Sequence, residues 1–127
     1  MSQIDIDALL AIVKRKNRLD QHRDWSNRSE IYFEEIGKEV AEAAVEAESG
    51  RACYLEDELG DILWDYLNLL QSLQNEGKIS LTAVFQRSLA KYDERVSGLE
   101  NGEAWADIKE RQKVRLAEEQ AIRDRES

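Results

Sequence analysis

The sequence predicts an all-α protein, a bundle of four to five helices. The chain of 127 residues contains no proline, and it is rich in Ala, Leu, Glu, Lys, Gln and Arg, the residues that favour helix. No segment alternates apolar and polar residues for long enough to indicate a strand. Apolar side chains recur instead at intervals of three and four residues along five segments, which is the period of an amphipathic helix.

The first three segments are the most regular. The first runs from about Asp5 to Leu19. The second begins at Ser26 or Ser29, both plausible capping residues, and stops at Gly50. The third spans about residues 52–74 and is the most apolar, so we place it at the centre of the bundle.

Two further helices are predicted after the turn at residues 75–77. Ser80 can cap the fourth, which the pair Ser97-Gly98 is expected to break. The fifth runs over about residues 103–123 and is strongly charged. Its tail after about residue 116 is expected to fray or to pack on another subunit. No linker or repeat marks a second domain, so residues 1–127 are predicted to form one domain.

Composition excludes several classes of function. The chain has 27 acidic and 18 basic side chains, for a net charge of −9, which makes nucleic acid and anionic membranes poor partners. The single cysteine, Cys53, cannot form an intramolecular disulfide or a thiolate zinc cage. The single histidine, His22, would have to be the base of any Ser/His/Asp or Cys/His site. The longest apolar run, residues 8–13, is too short to span a membrane, so the cytoplasm is the expected compartment.

The predicted second and third helices each carry acidic residues on one face. Glutamates at 35, 39, 42 and 46 are spaced by 4, 3 and 4 residues, and Glu58, Asp61 and Asp65 are spaced by 3 and 4. Like charges at such spacings destabilise a helix. Solvated acidic faces are common, so the spacing alone leaves a surface stripe and a metal site both open.

Four of these carboxylates lie at mirror positions about Gly50. Two lie 8 and 11 residues before it and two lie 8 and 11 residues after it. An antiparallel hairpin with its turn at Gly50 would bring them to similar heights. Carboxylates this close need compensating charge, which a hard cation such as Mg²⁺ or Mn²⁺ supplies. The four candidate metal ligands are Glu39, Glu42, Glu58 and Asp61.

These two acidic segments resemble a known family pattern. The MazG-type nucleoside triphosphate pyrophosphohydrolases, in the all-α NTP pyrophosphatase superfamily, carry Glu-Glu-x-x-Glu on one helix and Glu-x-x-Asp on the next. Here Glu39-x-x-Glu42 and Glu58-Leu-Gly-Asp61 match, whereas Lys38 replaces the leading glutamate. The departure leaves the number of metal ions open.

Basic and aromatic residues extend the resemblance. Lys91-x-x-x-Arg95 and Trp105-x-x-x-Lys109 are similar to pairs that follow the acidic helices in the family. The resemblance implies that the three basic side chains bind phosphate oxygens, with Lys91 and Arg95 assisting catalysis, and that Trp105 belongs to the substrate site. Trp25 resembles an aromatic residue that stacks on the base in related enzymes.

The resemblance implies a function. It is the Mg²⁺-dependent hydrolysis of nucleoside or deoxynucleoside triphosphates to a monophosphate and pyrophosphate. The expected biological role is nucleotide-pool housecleaning, and the expected assembly is a homodimer or homotetramer. Glu39 is the candidate base that orients water. A dUTPase-like enzyme and a phosphoribosyl-ATP pyrophosphatase relative stay open as alternatives. A catalytically silent oligomerisation module is the alternative of another class, because Lys38 could disable a metal site.

Overall fold

The prediction of an all-α protein is confirmed. The computed structural model describes residues 4–20 and 28–127, and within them all regular secondary structure is helical. The predicted helix positions agree with the observed ones to within a few residues, apart from the end of the fourth. The helices are α1 (Ile6–Asp20), α2 (Ser29–Ser49), α3 (Ala52–Asn75), α4 (Leu81–Glu100) and α5 (Trp105–Glu126).

The chain divides into two compact units, Met1–Leu81 and Thr82–Ser127. The first unit contains α1, α2 and α3. As predicted, α3 is central to it, because both α1 and α2 contact α3. All three helices contribute to its apolar core, which contains Val13, Ala43, Leu67, Leu69 and Leu70. That residues 1–127 act as one domain stays a prediction.

The predicted hairpin of α2 and α3 turns at Gly50. This residue has φ 74° and ends α2 in the left-handed conformation, which glycine adopts without the steric penalty of a side chain. Helix α3 begins two residues later, at Ala52. The turn is therefore tight enough to keep residues equally distant from Gly50 at similar heights along the two helices.

The start of α2 is held by a carboxylate from the end of α3. Ser29 donates from its backbone N–H to Oε2 of Glu76, and from its hydroxyl to Oε1 of Glu76, both at 2.9 Å. The sequence predicts Ser26 or Ser29 as the capping residue of α2. Ser26 lies outside the described residues, and at Ser29 the side chain of Glu76 accepts from the helix N-terminus instead. Lys78 lies 2.9 Å from the same carboxylate. The bond from the Ser29 backbone, then those from Lys78 and the Ser29 hydroxyl, lower the pKa of Glu76 to about 2.

Replacing Glu76 by glutamine is expected to lower the melting temperature at neutral pH. Because the pKa of Glu76 is depressed on folding, its contribution is fully present above its ordinary value of 4.5 and is lost as the pH falls toward about 2. The difference between wild type and Glu76→Gln should therefore shrink over this window in thermal melts at a series of pH values. Glu118→Gln, at an exposed position, is the control. A difference independent of pH would contradict the assignment.

The second unit contains α4 and α5, and its fourth helix runs further than the sequence predicted. Ser97 and Gly98 do not break α4, which continues to Glu100. The chain leaves the helix through Gly102, whose φ is 84°. Gly98 has a packing role, because a Cβ there would lie 2.5 Å from Cδ1 of Ile108 on α5. Helix α5 extends to Glu126, and the expected behaviour of the tail after about residue 116 stays a prediction.

Gly98→Ala is expected to destabilise the protein by about 1–3 kcal/mol, the usual cost of overpacking. Ile108 is fully buried and has little room to move away from the new methyl group. Gly60→Ala is the matched control, because a Cβ at Gly60 would meet no atom within 4 Å. This control should stabilise α3 by about 0.5–1 kcal/mol. Urea denaturation of both variants measures the difference, and equal stabilities would contradict the packing role.

Among the described helices, none combines the length and the apolar character that a membrane crossing requires.

Candidate active site

Three of the predicted metal ligands come together on the hairpin of α2 and α3. Carboxylate oxygens of Glu39, Glu58 and Asp61 lie within 4.8 Å of one another. We call these three residues the acidic cluster. Glu39 and Glu58 are half-buried and Asp61 is exposed. Glu42 lies outside this closest group, but its side chain interacts with that of Glu58 and its charge acts on Glu39. The hairpin thus brings all four predicted carboxylates into one region.

Within the described residues, the charges that act on Glu39 and Glu58 are those of other carboxylates. Oε2 of Glu39 and Oε2 of Glu58 are both buried, and neither has a hydrogen-bond partner while the two groups are ionised. Burial, the contact with Glu58, and the charges of Glu42 and Asp61 raise the pKa of Glu39 to about 7. A hydrogen bond from Glu39 lowers the pKa of Glu58, but burial and the charge of Glu42 outweigh it, so the net shift is upward. A proton shared by the pair is one way to relieve the repulsion, and a bound cation is another.

The acidic face continues beyond the cluster, where basic residues accompany it. Burial raises the pKa of Asp65, and the charges of Glu35 and Asp61 raise it further, while Lys16 on α1 opposes them. Lys38, the departure from the family motif, lies 3.5 Å from Glu35. Asp65 and Lys38 therefore lie next to the acidic cluster without belonging to it.

The predicted phosphate-binding residues share a groove between α4 and α5 in the second unit. Lys91, Arg95 and Lys109 line this groove. Lys91 lies 5.6 Å from the ring centroid of Tyr92. Three further basic residues, which sequence reasoning missed, line the same groove: Arg87, Lys113 and Arg115. Arg87 lies one turn from Lys91 and Lys113 lies one turn from Lys109, a spacing visible in the sequence, but an exposed charged helix face gives the same pattern.

Arg95 is the most constrained of these basic residues. It is buried, at 9% exposure. Its guanidinium lies 5.2 Å from the ring centroid of Tyr92 and 5.0 Å from that of Trp105, and its Nε donates to Oε1 of Gln112 at 2.8 Å. Two aromatic rings and a hydrogen bond therefore fix the orientation of the guanidinium. Trp105 contacts Arg95 as part of this arrangement.

Glu94 links the two helices of the groove. Its carboxylate accepts hydrogen bonds from Gln112 at 2.9 Å and from Arg111 at 3.1 Å, and it also pairs with Arg115. The bond from Gln112, followed by those from Arg115 and Arg111, lowers the pKa of Glu94 to about 2 against the opposing effect of burial. Gln112 also donates to the backbone carbonyl of Lys91 at 2.9 Å. The backbone beside Lys91 is thus held to α5.

Two residues weighed from the sequence, Trp25 and His22, lie outside the part of the chain that the structure describes. The predicted stacking of Trp25 on a base stays a prediction.

The fold and the acidic hairpin define an all-helical protein with a candidate metal site. The model of the MazG nucleotide pyrophosphohydrolase domain matches residues 28–98 of the chain. This match covers more than half of the sequence, including α2, α3 and most of α4, so the chain belongs to the MazG nucleotide pyrophosphohydrolase family. No curated protein and no solved structure matches the chain.

Proposed function

We propose that this protein hydrolyses nucleoside and deoxynucleoside triphosphates to a nucleoside monophosphate and pyrophosphate, with Mg²⁺ as the cofactor and Mn²⁺ as a possible substitute. The observation that carries the proposal is the acidic cluster, in which three carboxylates converge within 4.8 Å and two buried oxygens lack hydrogen-bond partners. A polyanionic substrate approaches such a cluster only with bound cations.

The residues fit a hard divalent cation. The donors of the acidic cluster are all carboxylate oxygens, which Mg²⁺ and Mn²⁺ prefer, and the unpartnered oxygens of Glu39 and Glu58 gain a partner when a cation binds. We assign Glu39, Glu42, Glu58 and Asp61 as its ligands. When bound, the cation supplies neutralisation of the negative charge on the triphosphate and on the departing pyrophosphate.

The protein side chains have separate roles in the proposed reaction. Glu39 accepts a proton from the attacking water and orients it. Lys91, Arg95 and Lys109, from the same chain or from a neighbouring subunit, bind phosphate oxygens as positive charges. Arg95 is the best oriented of the three, because two rings and Gln112 hold its guanidinium in place. Trp105 completes the substrate site through its contact with Arg95, and Trp25 stacks on the base.

An assay of products tests the proposal. Purified protein is incubated with a panel of nucleoside and deoxynucleoside triphosphates and Mg²⁺ or Mn²⁺ in ¹⁸O-labelled water. Monophosphate and pyrophosphate should form in equal amounts, with the label in the monophosphate, because water attacks the α-phosphorus. Label in pyrophosphate would indicate attack on the β-phosphorus, and release of single phosphate would exclude this reaction. No turnover of any nucleotide by folded protein would favour the silent helical module.

We also propose that the protein is a cytoplasmic homo-oligomer that serves nucleotide-pool housecleaning. Helix α4 supports the oligomer, because it carries a line of exposed apolar residues spaced by 4, 3, 4 and 3. These are Phe85, Leu89, Tyr92, Val96 and Leu99. Light scattering coupled to size exclusion tests the state, and a monomer at micromolar concentration would contradict it.

A further inference from the structure

Helix α3 carries a continuous line of polar residues that begins in the acidic cluster and passes through the core. Its members are spaced by 3, 4, 3, 4 and 3 residues, so they share one face of the helix. They are Glu58, Asp61, Asp65, Asn68, Ser72 and Asn75. The line changes from carboxylates to neutral side chains at Asn68. Asn68 and Ser72 are fully buried, and the neighbouring Gln71 is 5% exposed.

The neutral part of this line is incompletely hydrogen-bonded. Oδ1 of Asn68, Oε1 of Gln71 and Oγ of Ser72 are all buried without a hydrogen-bond partner. We call these three residues the buried polar cluster. Unpartnered buried polar atoms are rare in folded proteins and costly to maintain. Three of them on adjacent turns of one helix indicate a ligand or ordered water.

The donors of the two amides are already engaged. Nδ2 of Asn68 donates to the backbone carbonyl of Trp64 at 2.9 Å. Nε2 of Gln71 donates to Oδ1 of Asn75 at 3.1 Å, and Nδ2 of Asn75 donates to Oδ1 of Asn17 on α1 at 2.7 Å. The cluster therefore offers two carbonyl acceptors and one hydroxyl, and its preferred ligand is a group that presents N–H donors.

The distance along α3 matches a nucleotide. Asn68 lies seven residues beyond Asp61, which corresponds to two turns or about 10 Å. A nucleoside extends a comparable distance beyond its α-phosphate. A triphosphate bound at the acidic cluster can thus place its base at the buried polar cluster, on the same face of the same helix.

Helix α1 contacts α3 through both polar and apolar residues. The buried residues of α1 are Val13, Asn17 and Asp20, so only one of the three is apolar. Leu9 and Leu10 of α1 are also half-buried, so separating α1 from α3 exposes apolar surface. It also breaks the bond between Asn17 and Asn75, which a base can replace. Entry of the base requires this separation.

We infer that Asn68, Gln71 and Ser72 read the nucleobase of the substrate and select bases that carry an amino group; the inference rests on the proposed function for the position of the triphosphate. Cytosine, adenine and guanine carry an amino donor on the edge used for base pairing. An amino group offers two N–H donors to the two free acceptors of Asn68 and Gln71. Uracil and thymine present a carbonyl oxygen at the corresponding position and a single ring N–H beside it, so they satisfy only one of these acceptors. Sites that hydrogen-bond a substrate N–H discriminate strongly against analogues that lack it.

Cytidine and uridine nucleotides provide the sharpest comparison, because the two bases have the same size and differ in the amino group. Titration calorimetry with CMP and UMP measures the preference between the two bases in binding alone. The ratio of kcat/KM for CTP and UTP measures the same preference during turnover. We expect the cytidine nucleotide to be favoured by about tenfold or more. Gln71→Met removes one of the two carbonyl acceptors at similar volume and should reduce this preference. Gln86→Met, at an exposed position, should retain it.

The outcomes separate this inference from the proposed function. Hydrolysis of CTP and UTP with equal kcat/KM, together with equal binding of CMP and UMP, would overturn the inference and leave the proposed function intact. It would indicate that the buried polar cluster holds only water. Tight, selective binding of CMP without hydrolysis of any triphosphate would contradict the proposed function and support base reading. The preference of the wild-type protein decides the matter even if Gln71→Met fails to fold.

Discussion

Replacing Glu58 by glutamine is expected to reduce kcat/KM for triphosphate hydrolysis by about 100-fold or more, while the helical circular dichroism spectrum stays unchanged. Glutamine has nearly the same shape but no charge, so it weakens the binding of any cation held between Glu39 and Asp61. Oε2 of Glu58 is buried without a partner, which makes this residue the ligand candidate with the fewest other roles.

Glu56→Gln is the matched control for this experiment. It is the same substitution on the same helix, two residues earlier and at an exposed position, so it removes one charge away from the acidic cluster. Activity close to wild type is expected. Combining Glu58→Gln with Glu39→Gln should cost much less than the product of the two single effects, since both residues serve one site. Full activity of Glu58→Gln would remove Glu58 from the proposed metal site.

The hairpin was predictable because its determinants are local. A glycine at the turn and the constant rise of a helix are enough to place mirror positions about Gly50 at the same height. The rotation of each helix about its axis depends on packing, which spacing does not encode. That is why Glu39, Glu58 and Asp61 converge most closely while Glu42 lies beside them, although the four positions looked equivalent in the sequence.

The role of each glycine could not be predicted. A Cβ at Gly37 or Gly60 would meet nothing within 4 Å, so neither glycine is needed for close approach of another helix. Gly98 was expected to end a helix and instead lies against Ile108. A single glycine costs a helix only about 1 kcal/mol relative to alanine, so the surrounding packing decides whether the helix ends there. That packing comes from a residue ten positions away.

The neutral end of the polar line on α3 illustrates the same limit. Asn68, Ser72 and Asn75 follow the spacing of the acidic residues before them, and the pattern is visible in the sequence once the line is extended. Their burial is not visible, because polar residues on a helix face are usually solvated. Only the packed structure shows that Asn68 and Ser72 are inaccessible. An exposed oxygen would bind water, whereas these buried oxygens have no partner.

The second large effect expected is on stability. Glu58→Gln should melt at a higher temperature than wild type without metal and at a lower temperature than wild type with Mg²⁺. Without divalent cations, the charges of the acidic cluster repel one another, so removing one should raise the melting temperature. With Mg²⁺, wild type gains the free energy of binding, about 2.7 kcal/mol when the free ion is a hundredfold above its Kd. The variant, which lacks a ligand, should gain much less.

Thermal melts in EDTA and in a series of Mg²⁺ concentrations measure this exchange, with NaCl used to keep the ionic strength constant so that general screening does not contribute. Glu56→Gln should follow wild type under both conditions, because its side chain lies outside the acidic cluster. If Glu58→Gln were less stable than wild type in EDTA, the carboxylates would not be repelling one another. If Mg²⁺ raised the melting temperature of both proteins equally, the ion would be binding elsewhere. The exchange of rank needs both the repulsion and the site, and it can be observed before any substrate is known.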